Sequence, residues 1–274
     1  MTESITEKPV DEPEQMQQPR LADVVAGVLR TRIVEGQLTD GSRLPKQDHL
    51  LREFRVSRPS LREALRILES EGLLVVQRGN VGGAVVRAPS ASSAAYTLGL
   101  VLQSQHALIG DLAEAIRNVE PVAAAMCARR ADRQVAVLPR LRAAQEATEQ
   151  AIGDGVLFTY TSRQFHEAFV HACGNTTLIV MLGTLETMWS QQERQWAQRA
   201  QTKGSYPSAE AQGEVIAVHR ALLRAIEAGK DEHAARLVQS HLQESQRYTL
   251  ADAEGSVVHA APARGLSHLF LYAI

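Results

Sequence analysis

GSRLPKQDHLLREFRVSRPSLREALRILESEGLLVVQRGNVGGAVVR, residues Gly41–Arg87, is the stretch whose reading decides the fold. Gln47–Phe54 can form a short helix, Val56 can pack in the turn behind it, and a second helix opens after Ser57. The following LLVVQRGNVGGAVV alternates and then breaks at glycines, as a two-stranded hairpin does. Helix, turn, helix, hairpin is the order of a winged helix-turn-helix, which lays its second helix in a DNA major groove. Ser57 is a good N-cap, and Pro59 costs nothing in the first turn because no intrahelical N–H bond is lost there. Leu61, Ala64, Leu65 and Leu68 recur at helical spacing and predict the buried face. Arg58, Arg62 and Arg66 lie four apart on another face, forming a stripe suited to phosphates and guanine edges.

An arginine stripe on an isolated helix is ordinarily a solvated face. Here the flanking helix, turn and hairpin turn it into a nucleic-acid surface, to which Ser60 contributes at the same helix end. At the hairpin tip, Arg78 and Asn80 can reach a minor groove, and close backbone approach accounts for Gly79, Gly82 and Gly83.

Leu44–Pro45, then VSRPSLREALRILESEGL and QRGNVGGAVV, resemble the DNA-binding domain of the GntR family of bacterial transcription regulators. The resemblance implies DNA-contacting roles for Arg58 and Arg62. Many relatives carry Glu-Arg just after the Leu-Pro pair, whereas this chain has Gln47 and Asp48. Asp48 cannot donate the contact that an arginine would make.

The 274 residues suffice for two domains, with 45% hydrophobic and 22% charged residues as in ordinary globular proteins. No apolar run reaches the ~18 to 20 residues of a membrane span, and no apolar signal core opens the chain, so a cytoplasmic protein with no membrane partner is expected. Cys127 and Cys173 are too few and too isolated for a disulfide framework or a thiolate metal site. The formal net charge is −2, but its distribution is uneven: residues 20–87 hold 12 Lys/Arg against 8 Asp/Glu, and residues 1–19 one Lys against five acids. Positive charge therefore gathers on the DNA-binding stretch.

Residues 1–19 are Glu-, Gln- and Pro-rich and predict a disordered tail; 20–88 form the winged helix, opened by a helix with Leu21, Val24, Val25, Val28 and Leu29 on its stripe. APSASSAA reads as a linker over 89–95. From 96 to 250 the periodicity is helical throughout, predicting about seven helices: 94–103, 109–131, 134–152, 157–173, 178–200, 214–228 and 231–250. Pro121 should kink or split the second. Periodicity fades over 251–274, read as a C-terminal tail. The expected fold is mostly α, a winged helix of three helices plus a small β-hairpin followed by an all-α bundle.

Three of the nine histidines, His166, His219 and His241, fall on apolar helical stripes. A single such histidine is usually a satisfied core residue. However, His219 precedes Gly229 by 10 residues and His241 follows it by 12, so an antiparallel helix pair turning there makes them neighbours. Three imidazoles meeting in an apolar bundle each need a partner, and a divalent metal serves all three while keeping an open position.

FHEAFVHACGN (165–175), VHRALLRAIEAGKDEHAARLVQSHL (218–242) and IRNVEPVAAAMCARRA around Arg117 and Glu120 resemble the all-helical FCD effector domain of the FadR-like branch of GntR regulators. The resemblance implies a metal, zinc or similar, on His166, His219 and His241, and makes Arg117 a candidate for an effector carboxylate, which an arginine fork matches bidentately. Its metal-binding members carry an Asp one turn before the first histidine; here that position is Ser162, a poor ligand that weakens the site and leaves a place for the effector. The expectation is a homodimeric regulator, a repressor, that binds a palindromic double-stranded operator and answers to an organic acid. A metal-independent regulator with an acyl-type ligand is the first alternative and a zinc-dependent hydrolase the second. No Asp or Glu stands at a telling spacing to act as a general base, and the hydrolase leaves the winged helix without a purpose; the chain is read as no enzyme.

Overall fold

The computed structural model describes residues 20–77 and 83–260. Two compact units divide at Pro89/Ser90. Arg78, Gly79 and Asn80, and the expectations for residues 1–19 and 261–274, lie outside the described residues.

The first unit holds α1 (Leu21–Val34), α2 (Gln47–Phe54), α3 (Arg58–Ser70), β1 (Leu74–Gln77) and β2 (Gly83–Val86). Ser57 caps α3 by accepting from Ser60 N–H at 3.3 Å, and Arg55 makes the α2–α3 turn with φ 52. β1 and β2 pair antiparallel, Leu74 opposite Val86 and Gln77 opposite Gly83. Leu29, Leu61, Ala64, Leu68 and Val86 are fully buried in one core, where truncating a leucine to alanine costs ~2–5 kcal/mol. One part of the expected stripe is corrected. α1 buries Ala22, Val25, Ala26, Leu29 and Ile33, while Leu21, Val24 and Val28 stay exposed, because the two alanines allow close approach to α3.

The second unit contains α4 (Ala91–Ser104), α5 (Ile109–Arg129), the single turn α6 (Arg133–Ala136), α7 (Leu138–Gln150), α8 (Gly155–Ala172), α9 (Thr176–Thr202), α10 (Ala209–Glu227) and α11 (Asp231–Asp252). Three differences from expectation have identifiable causes. Ser90 and Ser93 form a reciprocal capping box, so α4 begins inside the stretch read as linker. α5 runs through Pro121, held by packing against α8, α9, α10 and α11. Residues 253–260 are not loose: Val258 is buried, Ile109 N–H donates to the Ser256 carbonyl at 3.0 Å, and Val258 N–H donates to that of Ala107 at 2.9 Å.

Phe165, Phe169, Trp189, Ile116, Leu138 and Leu141 are at or near zero exposure in a core that surrounds the histidine-bearing faces. Gly229, at φ 69, reverses the chain between α10 and α11, a conformation that a side chain would strain. Among the described residues, no helix is long and apolar enough to cross a membrane.

Candidate functional site

On α3 the apolar face is sealed in the core while Arg58, Arg62 and Arg66 are exposed on the other side. Arg58 donates to Asp48 on α2 at 3.2 Å and Arg66 pairs with Glu63 at 3.5 Å; Arg62 has no ion-pair partner among the described residues. Ser60 is half-buried and shares a 2.9 Å hydrogen bond with the Ser57 hydroxyl. The stripe is thus one free guanidinium flanked by two held by surface carboxylates. Exposed pairs of this kind are worth roughly 0–1 kcal/mol and can be exchanged for phosphate contacts.

In the second unit, α8, α10 and α11 bring His166, His219 and His241 together. One nitrogen from each lies within 4.8 Å of the others. All three side chains are buried, and His219 Nε2 stands 3.3 Å from His241 Nε2. Burial, followed by the neighbouring imidazoles, drives His219 well below the usual histidine range and pushes His241 down to about 3. Both are therefore neutral near pH 7 and offer lone pairs. Two nitrogens bound at ~2.0–2.1 Å to one tetrahedral zinc lie about 3.3 Å apart, the separation seen here.

His166 Nδ1 donates to the Glu120 carboxylate on α5, which leaves its Nε2 free to act as a ligand. Glu120 is fully buried. Burial opposes its charge, but Arg163 and His166 outweigh that penalty and hold the carboxyl down at about 2. Arg163 Nη2 donates to Glu120 Oε2 at 3.3 Å and to Glu186 Oε1 at 3.2 Å. Among the described residues, His219 Nδ1 is buried without a partner. A donor set of three imidazoles, one backed by a carboxylate, fits a divalent transition metal.

A cavity of about 290 Å³ opens beside this cluster, with His166, His241, Ser162 and Arg163 in its lining. Trp196, Tyr206 and Tyr248 form one wall, the Trp196 ring centroid 5.2 Å from that of Tyr206 and 5.8 Å from that of Tyr248. Tyr206 is pinned by a 2.7 Å hydrogen bond between its hydroxyl and that of Thr159, and it crosses Gly155 so closely that a Cβ there would meet its ring at 2.6 Å.

Ser162 lies where the sequence placed it, in the lining one turn before His166. Arg117 does not line this cavity: its Nη1 donates to Gln246 Oε1 on α11 at 2.8 Å. The buried guanidinium beside the histidines belongs to Arg163 instead. The sequence reading overlooked Arg163, Glu186 and the aromatic wall. Part of this was accessible from helix period, since Tyr248 lies seven residues after His241 on one face of α11, and Glu193 stands likewise to Glu186 on α9.

Comparison with known proteins agrees with this architecture. The family model described as bacterial regulatory proteins, gntR family, matches residues 21–85, and that of the FCD domain matches residues 111–244. The HTH-type transcriptional repressor NanR of Salmonella bongori is 30% identical over 160 residues, 57% of this chain and 59% of that protein. A putative L-lactate dehydrogenase operon regulatory protein of Escherichia coli K12 is 47% identical over 68 residues, 25% of this chain and 26% of that protein. The chain thus spans less than two thirds of the length of the curated relatives it matches. Among solved structures, Streptococcus agalactiae GntR covers 82% of this chain and 99% of its own at a TM-score of 0.62 and 20% identity, a likeness of fold. With the winged-helix unit and the helical unit each matched, the chain belongs to the GntR family of bacterial regulatory proteins and carries an FCD domain.

Proposed function

We propose that the protein is a homodimeric transcription repressor that binds a palindromic operator through α3 and releases it when an organic acid enters the cavity beside the three histidines. The observation that carries the DNA-binding reading is the exposed Arg58–Arg62–Arg66 stripe on a helix whose opposite face buries Leu61, Ala64 and Leu68, with Leu65 partly buried beside them. Two copies are needed because one winged helix contacts too little DNA for high specificity, and two-fold protein symmetry pairs with a palindrome. Effector binding shifts the population toward a dimer whose recognition helices no longer match half-sites about one DNA turn apart.

His166, His219 and His241 would hold a divalent metal, zinc or similar, which supplies a positive centre for a carboxylate. Ser162 contributes only a neutral hydroxyl, so the effector carboxylate takes the anionic place, with the Arg163 guanidinium in the same lining. Glu120 orients His166, and Arg163 keeps Glu120 ionised. Both family and relatives are regulators rather than enzymes.

The test is selection of genomic fragments by the full chain, followed by titration of the selected site with candidate acids. Enrichment of a shared inverted repeat, bound by a species of about twice 29.9 kDa, is expected; fragments without a common repeat would refute the reading.

A further inference from the structure

Thr159, Arg163 and Glu193 line not one cavity but two. The second, of about 390 Å³, lies against α8 and α9, and Glu167, Ser190 and Arg194 complete its polar lining with Asp154 and Thr187. Its volume falls in the range of small-molecule sites.

The charges in this lining are uncommitted in a specific way. Arg163 Nη2 serves Glu120 and Glu186, yet its Nε has no partner among the described residues although the side chain is only 6% exposed. The Ser190 hydroxyl is likewise buried without a partner among them. Among the described residues, Glu167 and Glu193 meet no cation at ion-pair distance, since Arg163 pairs with Glu120 and Glu186, and Arg194 meets no carboxylate. Acidic and basic groups without ion-pair partners therefore share one cavity. Burial raises both the Glu167 and Glu193 carboxyls, and a cation beside them returns them to the charged form. A simple anion would gain nothing from these two groups, and a simple cation would leave Arg194 and two buried polar groups unmet. A ligand carrying both charges complements this wall, with Val156 and Leu157 as apolar surface for the rest of it.

We propose that this second cavity is a separate binding site for a small zwitterion of the α-amino acid class. The ammonium lies toward Glu167 and Glu193, and the carboxylate toward Arg194, the Ser190 hydroxyl and Arg163 Nε–H. Because Arg163 also holds Glu120, which in turn orients His166, an occupant here touches the same guanidinium that supports the metal-side cavity. The inference does not depend on the metal or on the operator.

Thermal melting of the metal-stripped full-length protein against the common α-amino acids and their decarboxylated amines tests it. At least one amino acid should raise the melting temperature in a concentration-dependent way and bind more tightly than its amine. Glu167→Gln should weaken both about tenfold or more, whereas Arg194→Gln should weaken the amino acid by a similar factor and leave the amine unchanged. Ser190→Val, which keeps every charge, should move affinity in the same direction as Arg194→Gln. His219→Ala, in the histidine cluster beside the other cavity, should bind the amino acid like the parent. Failure of every amino acid to stabilise the protein, equal binding by parent and Glu167→Gln, or loss of binding in His219→Ala would each overturn the proposal.

Discussion

His219 Nε2 and His241 Nε2 stand 3.3 Å apart although 22 residues separate them in the chain. Neither ring is protonated near pH 7, so the contact is either a weak N–H···N hydrogen bond or a pair of ligands to one ion. Metal uptake separates these, and Glu120 gives the handle. Glu120→Gln keeps the size of the side chain but removes the charge that orients His166. Calorimetric titration with zinc should show affinity reduced by about 10–100-fold in this variant. No zinc uptake by the metal-stripped parent would leave three core histidines and no metal centre.

Ser162 lines the cavity one helical turn before His166 and brings no charge to it. Ser162→Asp should therefore tighten zinc binding in the effector-free protein and reduce the gain in zinc affinity that an added carboxylic acid produces. An unchanged coupling between zinc and acid in this variant would place the effector carboxylate elsewhere.

Arg62 is exposed and, among the described residues, has no ion-pair partner, so its truncation breaks no ion pair there. Arg62→Ala should weaken binding to a selected operator by at least ~1 kcal/mol and flatten the dependence on salt, while circular dichroism stays the same. Binding as tight as the parent's would show that α3 does not read the DNA.

Acid sensitivity follows from His241. In the unfolded chain its imidazole gains a proton near 6.5, while in the folded protein burial and then His166 hold that gain off until about 3. Unfolding thus takes up a proton across this window, and the His241 contribution to stability falls as pH drops from about 6.5 toward 3. His219 has the same sign. Glu167 has the opposite one: burial raises its carboxyl to about 7, so between its unfolded value of 4.5 and 7 the folded chain holds the extra proton. Comparison of metal-stripped parent with His241→Phe removes the Glu167 part. Denaturant unfolding from pH 7 to 4 should show the variant losing stability less steeply, by up to ~1.4 kcal/mol per pH unit. Parallel pH profiles would mean that His241 is not held neutral.

Helix α3 was legible in the sequence because every determinant of it is local. Ser57 caps, Pro59 sits in the first turn, and the 3.6-residue period separates Leu61, Ala64 and Leu68 from the three arginines without knowledge of any other element. The neighbourhood of His219 and His241 was equally legible, because a short turn at Gly229 forces two apolar helices to lie side by side. Local signals failed where long-range packing decides. Which half of the α1 stripe is buried depends on α3, and the helical course through Pro121 depends on the helices packed around α5. The choice of Arg163 over Arg117 for the cavity follows from the placement of α5, α8 and α9, which sets Glu120 and Glu186 on either side of one guanidinium. Residue spacing along one helix defines which side chains share a face. Which charges from different helices are buried together is decided only when the helices dock, because the cost of removing a charge from water must be met by partners that the chain brings from 23 and 43 residues away.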